Sequence, residues 1–399
     1  MPTGKKEVGE NVWRVWLNAY DDNGHRQRKQ KQVKGERAAE RERQRLERAF
    51  AAGTLILRDR SVLSELLDLW LTEAQEELKP TTIERYRQLV ELHIKPKLGP
   101  TRLDRLQKHP ELVREFLIGR REHGGRGGRE LAPGTVVHIS RCLHTALQWA
   151  CDDGKLSVNP AHAASIRKLT RAYLNQAEAG FQPIVMDAEE MGRLLEATRG
   201  TILYLPVLLA VSAGLRRGEV LGLRWCDVDL EAGVLQVSRT LLQTREAGVF
   251  EGSPKSRKSR RGFSLPSFAV LELRREWERL GNKADLDTRV CCQPDGALIA
   301  PGDLTVRFAK FINQKGFKKV RFHDLRHSYG TLMDELGIGA GTIGDRLGHA
   351  SSAFTLTRYV HPTDAADRGA AAAIDAAFGQ FPVNNSPTGN ERRHLRLVK

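Results

Sequence analysis

Apolar and polar residues alternate in period two through "NVWRVWLNAY", with Val12, Arg14, Trp16 and Asn18 on one side and Trp13, Val15 and Leu17 on the other. Such alternation predicts a half-buried strand. The turn-forming "DDNG" and a second strand, "HRQRKQKQV", follow, and "ERAAERERQRLERAFAAG" then reads as a helix ended by Gly53. The second strand is nearly all cationic or amide. Residues 1–55 hold 13 Lys and Arg against 8 Asp and Glu. That excess suits contact with phosphates or a groove, and equally a solvated edge strand kept charged against aggregation.

From about 60 to 168 the apolar spacing becomes helical. Leu63, Leu66, Leu67, Trp70 and Leu71 recur at helix period behind Ser61 as a candidate cap, and Ile83, Tyr86, Leu89 and Val90 do so behind Thr81 or Thr82. A Gly-rich loop, "HGGRGGRELAPG", precedes a further amphipathic helix that stops at Gly154. Periodicity lapses between about 169 and 186, which predicts an interdomain linker. Beyond it, "EEMGRLLEAT", "TILYLPVLLAVSAG", "RRGEVLGLRW", "HDLRHSYGTLMDELG" and "TIGDRLGH" read as helices, and "GVLQVSRTL" and "GFSLP" as strands. An Ala-rich helix is expected over 363–378 and a disordered basic tail over 383–399. The expected fold is multidomain and mainly α with small β-sheets: a β-rich module at 1–55, a helical bundle at 60–168 and a mixed α+β domain at 182–382.

A length of 399 residues supports this division into domains. No apolar run approaches 18 residues, so no membrane span is expected, and "MPTGKKEVGE" has no apolar core of a secretory signal. Cys142, Cys151, Cys226, Cys291 and Cys292 lack metal-ligand or disulfide-framework spacing, as suits a reducing compartment. The formal charge of +15 changes the picture most. It points to a polyanionic partner, and to nucleic acid before a membrane because no strongly apolar amphipathic face accompanies it.

Several short stretches carry chemistry. In "AGLRRGEVLGLRW", Arg216 and Glu219 lie three apart on one helical face, so a carboxylate can hold a guanidinium as a fork for two phosphate oxygens. "FHDLRHSYG" puts His323 and Arg326 on one face, and nearly spells a zinc-protease helix with His323 and His327 as ligands. Asp324 stands where that motif has Glu, and no third ligand follows. "SPKSRKSRRGFSLP" places five cations between Ser253 and Arg261, and His349 precedes Tyr359 by ten residues in "LGHASSAFTLTRYVH".

In their order and spacing, "GLRRGE", "PKSRKSRRG", "HDLRHSYGT" and "LGHASSAFTLTRYVH" resemble the tyrosine recombinase family of phage-integrase type. "KPTTIERYRQLVELHIKPKLG" looks like that family's core-site DNA-binding domain, and the N-terminal module resembles the arm-binding domain of many integrases. The resemblance implies that Tyr359 attacks a DNA phosphorus, leaving a 3'-phosphotyrosine and a free 5'-hydroxyl. It implies Arg216 and Arg326 as clamps on the non-bridging oxygens, His323 as proton acceptor, His349 as hydrogen-bond donor and Lys255 as general acid. Only the resemblance chooses Arg216 over Arg217, and Lys258 competes with Lys255; His327 and His361 read as structural or as supports behind the site residues.

Phosphoryl transfer by fixed donors fits these residues. A phenol of pKa roughly 10 needs a base and a positive field, and donors aimed at the reacting oxygens are each worth about 3 kcal/mol. No metal, cofactor or ATP is therefore expected. The implied enzyme is a metal- and ATP-independent recombinase that integrates a phage or other mobile element, with excision left open. Its implied partners are double-stranded attachment sites, three further copies in a homotetramer, and accessory DNA-bending or excision factors, in the cytoplasm and nucleoid of a bacterial host. A type IB topoisomerase-like relaxing enzyme and a catalytically silent DNA-binding regulator are the alternatives.

Overall fold

The computed structural model describes residues 3–20, 26–51, 61–180, 183–252, 260–281 and 285–348. They fall into two compact units, one built from Met1–Pro183 with Leu242–Phe250, the other from Ile184–Leu241 and Glu251–Lys399.

The first unit opens with strands β1 (Thr3–Gly9), β2 (Val12–Tyr20) and β3 (Arg26–Lys34), antiparallel in that order, and helix α1 (Glu36–Ala51). β1 was not anticipated, because "TGKKEVG" contains one aliphatic side chain and no alternation. Val15 and Leu17 are buried with Ala39 and Leu46 of α1, and Trp13 and Val33 pack at the margin. Pairing of Gly4 with Trp16, Lys6 with Arg14, and Trp16 with Gln30 sets these residues on the opposite face. There the Trp16 ring lies over Gly4, where a Cβ would come within 2.3 Å of it, and the Arg28 guanidinium sits 4.8 Å from the Trp16 ring centre.

The bundle of the same unit comprises α2 (Leu63–Glu77), α3 (Pro80–Leu89), α4 (Lys95–Leu98), α5 (Leu103–Lys108), α6 (Glu111–His123), α7 (Pro133–Asp152) and α8 (Ala164–Ala179). Val90–Ile94, a π turn, joins α3 to α4. Leu67, Trp70, Ile94, Leu117, Ile139 and Leu143 are among the side chains that fill its core. The cap of α2 is Val62, whose backbone N–H donates to Glu65, rather than Ser61. α3 starts at Pro80, ahead of Thr81 and Thr82, because proline has no N–H to leave unpaired in a first turn. The linker expected from 169 is helix as far as Ala179. α8 buries Ile166 fully and packs Leu169 and Tyr173 partly, too thin a stripe to register as periodicity.

The second unit contains α9 (Ala188–Thr198), α10 (Tyr204–Ala213), α11 (Arg217–Gly222), β4 (Val228–Asp229), β5 (Val234–Val237), β6 (Thr240–Thr244), β7 (Gly248–Gly252), β8 (Arg261–Ser264), α12 (Ser267–Leu280), α13 (Pro301–Lys315), α14 (Phe322–Glu335) and α15 (Ala340–Leu347); β6 and β7 run across its boundary. β4, β5 and β8 form one sheet in that order, and β6 pairs with β7. α10 is apolar all round and is buried accordingly. The run "GVLQVSRTL" breaks into β5 and β6, and β7, "GVFEG", was not anticipated. Gly214 ends α10 at φ +62°, and a Cβ there would meet the Tyr329 ring at 2.4 Å. α14 buries polar groups that a helix interior rarely carries: Asp324, Arg326, His327 and Ser328.

Among the described residues no helix is long and apolar enough to cross a membrane. The Ala-rich 363–378 and the tail 383–399 lie outside the described residues.

Candidate active site

α15 ends at Gly348, whose φ of +61° closes the helix, and its last carbonyl oxygens have no partner within the helix. Three arginines from three elements supply the partners. Arg216, at the start of α11, donates from Nη2 to the Gly348 oxygen at 3.0 Å. Arg326 of α14 donates from Nη2 to the Leu347 oxygen and from Nη1 to the Gly214 oxygen at 2.6 Å. Arg261, first residue of β8, donates from Nε to the Arg346 oxygen at 2.6 Å. Cations belong at a helix C-terminus, where carbonyl dipoles sum.

Glu219 links two of these arginines. It accepts from Arg216 Nη1 at 2.8 Å and from the Arg216 backbone N–H at 2.9 Å, and from Arg261 Nη1 and Nη2 at 3.1 and 2.9 Å. Its side chain is 4% exposed, as against 36% for that of Arg216. Burial, the largest single influence, pushes the Glu219 carboxyl up. The hydrogen bond and charge of Arg261, with the charge and N–H of Arg216, outweigh it and hold the group at about 2. Holding it below the ordinary 4.5 corresponds to about 3 kcal/mol of native-state stability. The folded pKa is depressed, so that stability is complete above pH 4.5 and is lost as pH falls towards 2.

His323 lies one turn before Arg326 on α14. It is exposed on one side. Burial of its inner side, then the charges of Arg326 and Arg216, lower its pKa from 6.5, so it is neutral at pH 7 and able to accept a proton. The His327 ring stands edge-on to it at 5.2 Å between ring centres. Asp324 is taken up at the start of α14, where its carboxylate accepts from the Arg321 backbone N–H at 2.8 Å and from the Arg321 guanidinium at 2.7 and 3.0 Å. It is a capping carboxylate, unlike the solvent-facing base of a zinc-protease helix. Among the described residues no three His, Cys, Asp or Glu stand together as metal ligands.

Of the six residues singled out in the sequence, Arg216, His323 and Arg326 are thus brought to one end of α15. Lys255, His349 and Tyr359, like Lys258 and His361, lie outside the described residues. Arg217 turns from Arg216 to donate to the Thr305 hydroxyl of α13. Arg261 does not stand out in the sequence from the four cations clustered with it; only the structure sets it apart, as the first residue of β8.

Residues 185–366 match the description "Phage integrase family", and residues 62–116 match "Phage integrase, N-terminal SAM-like domain". A tyrosine recombinase XerC-like protein of Caldanaerobacter subterraneus subsp. tengcongensis is 25% identical over 374 residues, covering 88% of this chain and 93% of its own length. An integrase of Saccharopolyspora erythraea is 24% identical, covering 78% and 82%. The Tn1549 transposon integrase in complex with a circular intermediate DNA superposes with a TM-score of 0.65 at 18% identity, covering 79% of this chain and 99% of that one. For a lambda integrase dimer bound to a core site the TM-score is 0.54 at 17% identity, with 89% and 94% covered. These two share the fold. The family matches cover the first part of the helical bundle and the stretch that holds Arg216, His323 and Arg326, and the chain belongs to the phage integrase family of tyrosine recombinases.

Proposed function

We propose that the protein is a site-specific DNA recombinase that cuts and rejoins duplex DNA through a 3'-phosphotyrosine on Tyr359. The observation that carries this reading is the pair Arg216 and Arg326. They come from elements 110 residues apart, yet both are fixed to carbonyls at the end of α15, with neutral His323 alongside. Guanidiniums held this way need no reorganisation when charge develops on a phosphate.

In the proposed reaction the Tyr359 oxygen bonds to phosphorus, its proton passes to His323, and the bond to the 5'-oxygen breaks as Lys255 protonates that oxygen. Arg216, Arg326 and His349 meet the charge on the non-bridging oxygens. Phosphotyrosine keeps the bond energy, and a 5'-hydroxyl of another strand reverses the step, so ATP is not required. Exchange between two duplexes needs four active sites, hence a homotetramer, with accessory DNA-bending or excision factors as further partners. Acting on the chromosome places the enzyme in the cytoplasm of a bacterial host, at the nucleoid.

Two further surfaces fit DNA. The open face of β1–β3 presents exposed Lys6, Arg28, Gln30, Gln32 and Lys34 around Trp16, suited to phosphates through its cations and base edges through its amides. In the bundle, exposed Arg141, Arg167, Lys168 and Arg171 line a cleft with Ser140 and Thr170. These are the arm-type and core-site surfaces in this reading, for modules at 1–55 and 60–168, with catalysis in 182–382.

The test is strand exchange between two duplexes carrying the sequences that border the gene, in EDTA and without ATP. Recombinant products support the proposal. Relaxation of any supercoiled plasmid without exchange supports the topoisomerase reading, and tight binding without chemistry supports a regulator. Binding is also expected to weaken by about a thousandfold between 50 and 200 mM salt if six or more phosphates are neutralised; a flat salt response, measured by fluorescence anisotropy, contradicts the role given to the basic surfaces.

A further inference from the structure

We infer that Arg261 is a positioning residue for cleavage, setting the orientation of Arg216 through Glu219 and the end of α15 through the Arg346 carbonyl. The inference rests on the recombinase reading and adds to it a residue that need not touch DNA.

The geometry is that of a buried fork. The Arg261 side chain is 7% exposed, and its two terminal nitrogens take both oxygens of Glu219, which is 4% exposed. Oε1 of the same carboxylate also accepts from Arg216, and Oε2 from the Arg216 backbone. With Arg261 in place, Glu219 is shared between two cations, so Arg216 is oriented without being fully neutralised. Without it, a buried carboxylate is left to Arg216 alone, and the guanidinium proposed to bind phosphate is drawn into an internal ion pair.

β8 also grips the last turn of α15. Besides the bond from Arg261 to the Arg346 oxygen, the Arg346 guanidinium lies 4.7 Å from the Phe263 ring centre and donates to the Ser264 oxygen at 3.0 Å. On its far side it donates to the Tyr329 hydroxyl of α14 at 2.7 Å. β8 therefore fixes the turn whose next two carbonyls hold Arg326 and Arg216, and after which His349 follows in sequence. Among the described residues the charged groups around Glu219 are Arg216 of its own helix start and Arg261 of β8, and Arg326 of α14 reaches the same helix end.

The test uses the full-length protein, its variants R261M, R261K and R261M/E219Q, and a nicked duplex carrying the sequence that borders the gene. R261M is expected to form the covalent adduct about 10- to 100-fold more slowly at pH 7.5, since small misplacements of positioned groups cost that much, while binding duplex within about threefold of wild type. On the acid side its rate should fall with two protons where wild type falls with one, because Glu219 is no longer held as low and titrates alongside His323. R261K should restore the one-proton profile and most of the rate, and adding E219Q to R261M should remove the second proton. A wild-type rate and profile in R261M overturns the inference, as does a loss equal at every pH and unrelieved by lysine. A readout without DNA separates this from the reaction itself. Wild type should lose thermal stability as pH falls from 4.5 towards 2, and R261M less steeply, because its Glu219 is no longer held as low; equal falls contradict the coupling. If wild type forms no adduct the recombinase reading fails, and this acid comparison still decides whether Arg261 sets the charge of Glu219.

Discussion

The Tyr359→Phe variant is expected to bind attachment-site DNA within about twofold of wild type and to form no covalent adduct. Phenylalanine keeps the ring and removes only the oxygen proposed to bond to phosphorus. Arg216 is held by Glu219 and the Gly348 carbonyl, and Arg326 by the Gly214 carbonyl, contacts that the substitution leaves in place. Loss of a nucleophile placed for in-line attack is expected to slow adduct formation by more than about 10⁴-fold. Gel-shift titration checks the first half, and denaturing electrophoresis of the protein with a nicked duplex checks the second. An adduct formed by the phenylalanine variant would show that a different residue reacts.

Arg326→Met is expected to fail in two ways at once. The Arg326 side chain is nearly inaccessible, with 2% of the residue exposed, and it satisfies the carbonyls of Gly214 and Leu347. Methionine fills much of the volume and leaves both oxygens unpaired in the interior, at about 1 to 3 kcal/mol each. An unfolding midpoint lowered by several degrees in calorimetry is the expected sign. Adduct formation measured well below that midpoint should still fall by about 10²- to 10³-fold, from loss of the donor proposed for the reacting phosphate. Arg326→Lys separates the two effects: it keeps a cation and much of the stability, but a point charge cannot reach two carbonyls and a phosphate oxygen together. Lysine should therefore recover stability more than cleavage, and recovery of cleavage alone would show that charge suffices there.

The legible parts of this chain were those in which one physical signal dominates. Alternation through β2 and the helical stripe of α2 both have a buried face, and Val15, Leu17, Leu67 and Trp70 are the residues that make it. β1 was not legible, since its partner strand supplies the order and its own residues are mostly polar. α8 was mistaken for a linker because it needs only Ile166 and two half-buried neighbours to hold it in place.

For the site, motif spacing grouped residue types but left Arg216 and Arg217 equivalent. Their separation is a matter of direction: one turns to Glu219 and Gly348, the other to Thr305. Arg261 was hidden for a related reason. Its role depends on contacts with Glu219 and Arg346, 42 and 85 residues away in the chain. Local sequence registers a cationic loop there and nothing about which cation faces inward.

Covalent transfer of a DNA phosphate to Tyr359 is the step on which the proposed recombination turns. The most direct measurement is to trap wild-type protein on a nicked duplex in EDTA, digest the adduct with trypsin and nuclease, and locate the nucleotide by mass spectrometry. The expected result is a 3'-linked nucleotide on Tyr359 and on no other residue. A 5'-linked nucleotide, a label on another side chain, or duplex binding with no adduct at all would contradict it.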